Sequence, residues 1–232
     1  MTRVDEDQAT ADAFARLAVE MHAAEGVEET VETVVRFALS ALHCSHAGVA
    51  LYTGSKAGIP AVTDPLMVAI YQFQLDSGTG PLPAVIRSQE AVLVRDTRTE
   101  NRWPEWAAMV GALGVRSVLD VPLLVGSPSA PTVGVLGLYG LEPDAFDRDD
   151  EAIAHILARH ASVALAGARE VENLTAAVDA RKVVGQAMGI LMERYSLDEA
   201  RAFQVLKRYS QNSGRKLRDV ALELIGTRKL PG

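Results

Sequence analysis

The chain predicts an α+β protein. An N-terminal antiparallel sheet flanked by helices leads through a long connecting helix into an all-α C-terminal unit of three helices. Three observations carry this expectation. Short apolar runs of strand type (AGVALY, VRSVLDVPLLV, TVGVLGLYGL) lie between stretches of helical period. Leu157, Ala164, Val171 and Val178 recur every seven residues. Residues 1–170 hold 12 Lys+Arg against 23 Asp+Glu, whereas residues 171–232 hold 11 against 7. A length of 232 residues suits two domains, and the charge asymmetry sets an acidic N-terminal module against a basic C-terminal one. The expected boundaries are a flexible polar start over 1–12, a sheet-bearing domain over 13–168, and a basic helical domain over 169–228 that opens with a coiled-coil stalk.

Each element has a local cause. Phe14, Leu17, Ala18 and Met21 stand at helical spacing, ended by Gly26. Val31, Val34, Val35, Ala38, Leu39 and Leu42 form the stripe of a second helix. Ala47–Tyr52 reads as a buried strand closed by the turn TGSKAG. Pro65–Leu75 is helical, DSGTGPLP a loop, and PAVIRSQEAV a short helix before a strand at Val92–Val94. After the loop RDTRTENRWPEW a helix runs through Ala112. Two apolar strands follow, joined by GSPSAP.

From Phe146 the chain is expected to stay helical for about thirty-five residues. Leu157, Ala164, Val171 and Val178 interleave with His160, Gly167, Leu174 and Arg181 in three-and-four spacing. From this seam Leu157, Ala164, Val171, Leu174 and Val178 are assigned to a dimerisation stalk.

The last unit packs three amphipathic helices. Val184, Ala187, Met188 and Leu191 make one apolar face, with Gly185 and Gly189 inside it. Each glycine costs about 1 kcal/mol relative to alanine, which calls for close approach by a backbone or a ligand. Ser196 and Glu199 form a capping-box signature, followed by a buried stripe of Ala200, Phe203 and Leu206 that leaves Arg201 outward. Gly214 supplies a left-handed turn. Leu217, Val220, Ala221 and Leu224 line the third helix, which Gly226 closes. Lys207, Arg208, Tyr209, Ser210, Gln211, Asn212, Arg215, Lys216 and Arg218 fall within twelve positions around one turn. Cations there can meet phosphates, amides can read base edges and Tyr209 can stack on an unpaired base.

Several classes are excluded. No apolar run of about 18 residues exists and the start MTRVDEDQAT is acidic, so a cytoplasmic chain with no membrane partner is expected. The single Cys44 rules out an internal disulfide and a thiolate cluster. No P-loop, metal-ligand spacing or nucleophile–base constellation is present, so no catalytic residue, metal or cofactor is assigned. Three readings stay open from the residues alone: an RNA binder, a DNA-binding regulator, and a ligand-sensing scaffold without nucleic acid.

The run ARKVVGQAMGILMERYSLDEARAFQVLKRYSQNSGRKLRDVALELI resembles the ANTAR family of bacterial antitermination domains, over about residues 170–226. The resemblance implies binding to paired RNA stem-loops in leader transcripts. Many members carry lysine where this chain has Met188, which leaves Arg181, Lys182 and Gln186 to share the first helix's contacts. The preceding runs GPLPAVIRSQEAVLVRD, RWPEWAAMVGALGVRSVLDVPLLV and VGVLGLYGLEPDAFDRDDEAIAHILARHASVALAGA resemble a GAF domain, over about residues 13–168. That family binds cyclic nucleotides, tetrapyrroles, haem or other small molecules, or simply joins subunits. An unidentified small-molecule ligand and a homodimer are therefore the expected partners besides RNA. Phe146, Asp150 and Glu151 match only the tail of the cyclic-nucleotide pattern, Cys44 lies too early for bilin attachment, and the cluster His43, Cys44, His46 reads as junction residues.

Overall fold

The computed structural model of the chain describes residues 3–53, 56–125 and 132–229. The chain divides into two compact units, Met1–Arg169 and Glu170–Gly232.

Unit one is built on a five-stranded antiparallel sheet. Its strands are β1 (His46–Thr53), β2 (Lys56–Val62), β3 (Val92–Val94), β4 (Ser117–Leu124) and β5 (Thr132–Gly140), in the order β2-β1-β5-β4-β3. Successive side chains point to opposite faces, and the apolar residues divide accordingly. Ala47, Val49, Leu51, Leu119, Val121, Leu123, Leu136 and Leu138 face one core. It is covered by α1 (Arg3–Ala23), α2 (Val27–Ala41) and the first part of α6 (Arg148–Tyr195). Ala50, Val118, Val135 and Tyr139 face the other core, beneath α3 (Pro65–Ser77), α4 (Pro81–Ser88) and α5 (Pro104–Ala112). The expected layers are present, but one element differs. Lys56 to Val62 form a fifth strand where the sequence suggests a turn reaching Gly58. A glycine and a proline on an edge strand mask its pattern, and an edge tolerates both. The turn GSPSAP lies outside the described residues.

Helix α1 begins at Arg3, so the backbone is helical through most of 1–12, where polarity alone suggests a flexible start. The helix α6 also exceeds its expectation. It runs 48 residues without a break and includes what reads in sequence as the separate first helix of the C-terminal unit. Two stalk residues have another use: Leu157 lies in the first core and Ala164 packs against it. By contrast Val171, Leu174 and Val178 are 64%, 61% and 64% exposed.

Unit two consists of the rest of α6 with α7 (Glu199–Ser213) and α8 (Leu217–Thr227). Its core is Ala187, Leu191, Ala202, Leu206, Val220, Ala221 and Leu224. Among the described residues, no helix is long and apolar enough to cross a membrane.

Candidate nucleic-acid interface

Two short connections position the cations. Leaving α6, the chain turns at Ser196, whose φ of 49° is left-handed. The cap of α7 is Asp198: its carboxylate accepts from the Arg201 amide at 2.7 Å and pairs with the Arg201 guanidinium at 3.5 Å. The Ser196–Glu199 capping box therefore does not form. Placing the helix start at Glu199 turns Ala202, Val205, Leu206 and Tyr209 inward at i, i+3, i+4 and i+7. Ala200 and Phe203, expected inside, are exposed, Phe203 at 37%.

The second connection is the basic turn. Gly214 takes φ 64° at the end of α7, a conformation glycine adopts without a steric penalty. The Ser210 hydroxyl donates to the Arg215 carbonyl at 2.6 Å, and the Ser213 hydroxyl donates to the Tyr209 carbonyl at 2.7 Å. Arg215 reaches forward to pair with Glu223 on α8. Lys216 caps α8 without a side-chain bond, and the helix ends at Thr227, one residue past Gly226, with Arg228 as its left-handed C-cap.

The expected contact residues thus fall into two groups. Tyr209 packs against the helical core, Ser210 ties the turn and Arg215 is committed to a carboxylate. Lys207, Arg208, Gln211, Asn212, Lys216 and Arg218 are exposed. None of the four cations among them forms an ion pair with the described residues. On α6, Arg181 and Lys182 are also exposed, but the helix separates its polar residues. Arg181 lines a groove with Arg218, whereas Gln186 lines a different one with Arg194 and Arg228.

Unit one holds a contrasting polar cluster. Asp120 on β4 stands beside Gly137 on β5, which in turn pairs with Gly48 on β1. A Cβ at Gly137 would sit 2.9 Å from Asp120 Oδ1, and one at Gly48 would sit 2.9 Å from the Tyr71 ring. The two glycines make a pit for the tips of Asp120 and Tyr71. Tyr139 meets Tyr71 edge-on at 6.2 Å. Both Asp120 oxygens, the two phenol hydroxyls and Trp106 Nε1 lack a well-formed hydrogen bond among the described residues. Burial pushes the Asp120 carboxyl up to about 8. Both phenols are pushed well above their ordinary value, first by burial and then by neighbouring groups including Asp120.

The remaining motif residues have structural uses. Phe146 is buried in the first core. Asp150 accepts from the Asp147 and His43 amides at 3.1 and 3.3 Å, and lies 3.0 Å from His43 Nδ1. Cys44 is half-buried, donates to the Ala38 carbonyl at 3.5 Å, and has its thiol pushed up to about 11 by burial. No cluster of three or more His, Cys, Asp or Glu able to hold a metal ion occurs among the described residues.

The GAF domain model matches residues 26–165 and the ANTAR domain model matches residues 172–225. No curated protein matches. The chain is similar to the crystal structure of the GAF domain from Acinetobacter phosphoenolpyruvate-protein phosphotransferase. That match has 17% identity and TM-score 0.55, and covers 75% of this chain and 99% of that one. A second similar structure is free methionine-R-sulfoxide reductase from Neisseria meningitidis in complex with its substrate. It has 13% identity and TM-score 0.54, covering 70% of this chain and 91% of that one. The Stigmatella aurantiaca phytochrome photosensory core module matches at 10% identity and TM-score 0.60, over 90% of this chain and 46% of that one. At these identities the likeness shows the fold alone. The two matched domains are regulatory kinds, of signal transduction and RNA-binding antitermination. By its fold and its matched residues the chain belongs to the GAF-domain family, with an ANTAR domain following the GAF domain.

Proposed function

We propose that this is a cytoplasmic bacterial antitermination regulator. Its C-terminal domain binds paired stem-loops in nascent leader transcripts, and its N-terminal domain senses a small molecule and joins two copies. The observation that carries the reading is the set of cations Lys207, Arg208, Lys216 and Arg218 around one turn of the ANTAR-matched segment, none of them ion-paired among the described residues. Phosphates supply the missing counter-charge, and Gln211 and Asn212 beside them offer amides to loop bases. Val171, Leu174 and Val178, exposed at three-and-four spacing, support pairing of two chains along α6. Sedimentation gives the protomer number directly. Two linked sites raise avidity by about 10² or more when both hairpins are within reach. Holding the two hairpins blocks a competing terminator, and transcription continues.

The test is a gel-shift titration of paired RNA hairpins across salt concentrations. Affinity falls steeply with salt, and the triple variant Arg208→Ala, Lys216→Ala, Arg218→Ala flattens the log–log slope by about 2, at about 0.7 per lost phosphate contact. Equal affinity for duplex DNA, or an unchanged slope in a folded variant, overturns the reading.

A further inference from the structure

A groove of about 800 Å³ lies between the C-terminal third of α6 and the starts of α7 and α8. Gly185, Met188 and Phe203 give it an apolar surface, and Arg181, Glu199 and Arg218 add two positive charges and one negative. All three charged residues are exposed and so stand at the mouth. Gly185 is the informative residue. Glycine weakens a helix interior, and a neighbouring backbone packed against it is the usual reason to keep one. Here a Cβ would meet nothing within 4 Å among the described residues, so none of them requires the glycine, and its smallness widens the groove.

We propose that the groove receives one unpaired base of the RNA. This rests on the RNA-binding reading above and adds Gly185, Met188, Glu199 and Phe203 to the interface. The base lies against the Phe203 ring and the Met188 thioether. Its flanking phosphates meet Arg181 and Arg218, and the Glu199 carboxylate accepts from N–H donors on its pairing edge. The charge pattern favours this occupant. A flat heteroaromatic ring between two phosphates matches a groove that carries an aromatic wall and two guanidinium groups. An apolar helix of a protein partner would leave both arginines and the glutamate without counterparts.

The full-length chain is tested with synthetic RNA hairpins that share one stem and carry randomised loops. The tightest-bound hairpin is then made abasic at one loop position at a time. For the unmodified protein, one abasic position weakens binding at least about tenfold, on the scale of a lost base stack. Gly185→Leu fills the groove, weakens the intact hairpin by a similar factor, and becomes indifferent to that abasic position. Phe203→Ala behaves likewise, while Phe203→Tyr keeps both affinity and sensitivity. Circular dichroism monitors the fold, and if Gly185→Leu does not fold, the Phe203 pair decides. Undiminished affinity in Gly185→Leu, or equal loss in Phe203→Ala and Phe203→Tyr, overturns the groove assignment and leaves RNA binding standing. A changed protomer number with RNA affinity intact assigns the groove to a second copy and overturns the proposal. Failure of the unmodified protein to bind any hairpin overturns both this assignment and the RNA-binding reading.

Discussion

The sheet-bearing unit encloses a carboxylate and two phenols between large apolar layers. The helical unit, among its described residues, buries no polar side chain and turns its cations outward. The difference follows from how much apolar volume each unit has. Unit one covers both faces of a sheet, and its second core alone contains Trp106, Tyr71, Tyr139, Met67 and Leu82. Unit two has a core of seven residues, three of them alanine. A domain of about 60 residues is marginally stable. The thick core therefore tolerates the cost of an unpaired internal acid, and the thin one does not.

That contrast can be broken at Asp120. Its pKa lies near 8 in the fold against about 4 in an unfolded chain, so folding takes up a proton between those values. Stability from this group is intact below about pH 4, declines as pH rises, and reaches its lowest level above about pH 8. Asp120→Asn is expected to stabilise the protein at pH 9 by up to the order of 5 kcal/mol, with the gain shrinking toward pH 4. Urea melts at several pH values measure it, and a pH-independent difference removes the internal acid from the comparison.

The opposite test strikes the thin core. Leu206→Ala costs about 3 kcal/mol, which is of the order of the whole stability of so small a unit. Hydrogen exchange should show α7 and α8 losing protection while the sheet keeps its own. Simultaneous loss in both units would show that they share one cooperative transition. The smallest effect sharpens the account of the connections. Asp198→Ala costs about 1 kcal/mol through the lost cap, whereas Ser196→Ala leaves thermal stability nearly unchanged. The reverse ranking would restore the capping box.

Legibility in the sequence differed along the same line. The strands β1, β4 and β5 and the helix α2 announce themselves, because a two-sided core demands strict periodicity. The edge strand β2 does not, because an edge carries no such demand. In α7 two apolar stripes compete: Ala200, Phe203, Leu206, and Ala202, Val205, Leu206, Tyr209. Only the second has full i, i+3, i+4, i+7 spacing, and that signal locates the inward face. The cluster of cations was readable from composition. Which of them are engaged was not, since the Arg215–Glu223 pair and the Ser210–Arg215 bond depend on how the turn folds. Phe203 falls in the first stripe because an aromatic residue at helical spacing reads as core, whereas it is exposed.

The uninterrupted α6 bears on how the molecule can be taken apart. It supplies Leu157 and Leu165 to one core and Ala187 and Leu191 to the other. A fragment excised at the loop after Tyr195 would leave α7 and α8 lacking a wall, with Leu206 and Leu224 open to solvent. Anyone isolating the ANTAR-matched half must start the fragment before Val183, in mid-helix, where a cut looks least natural.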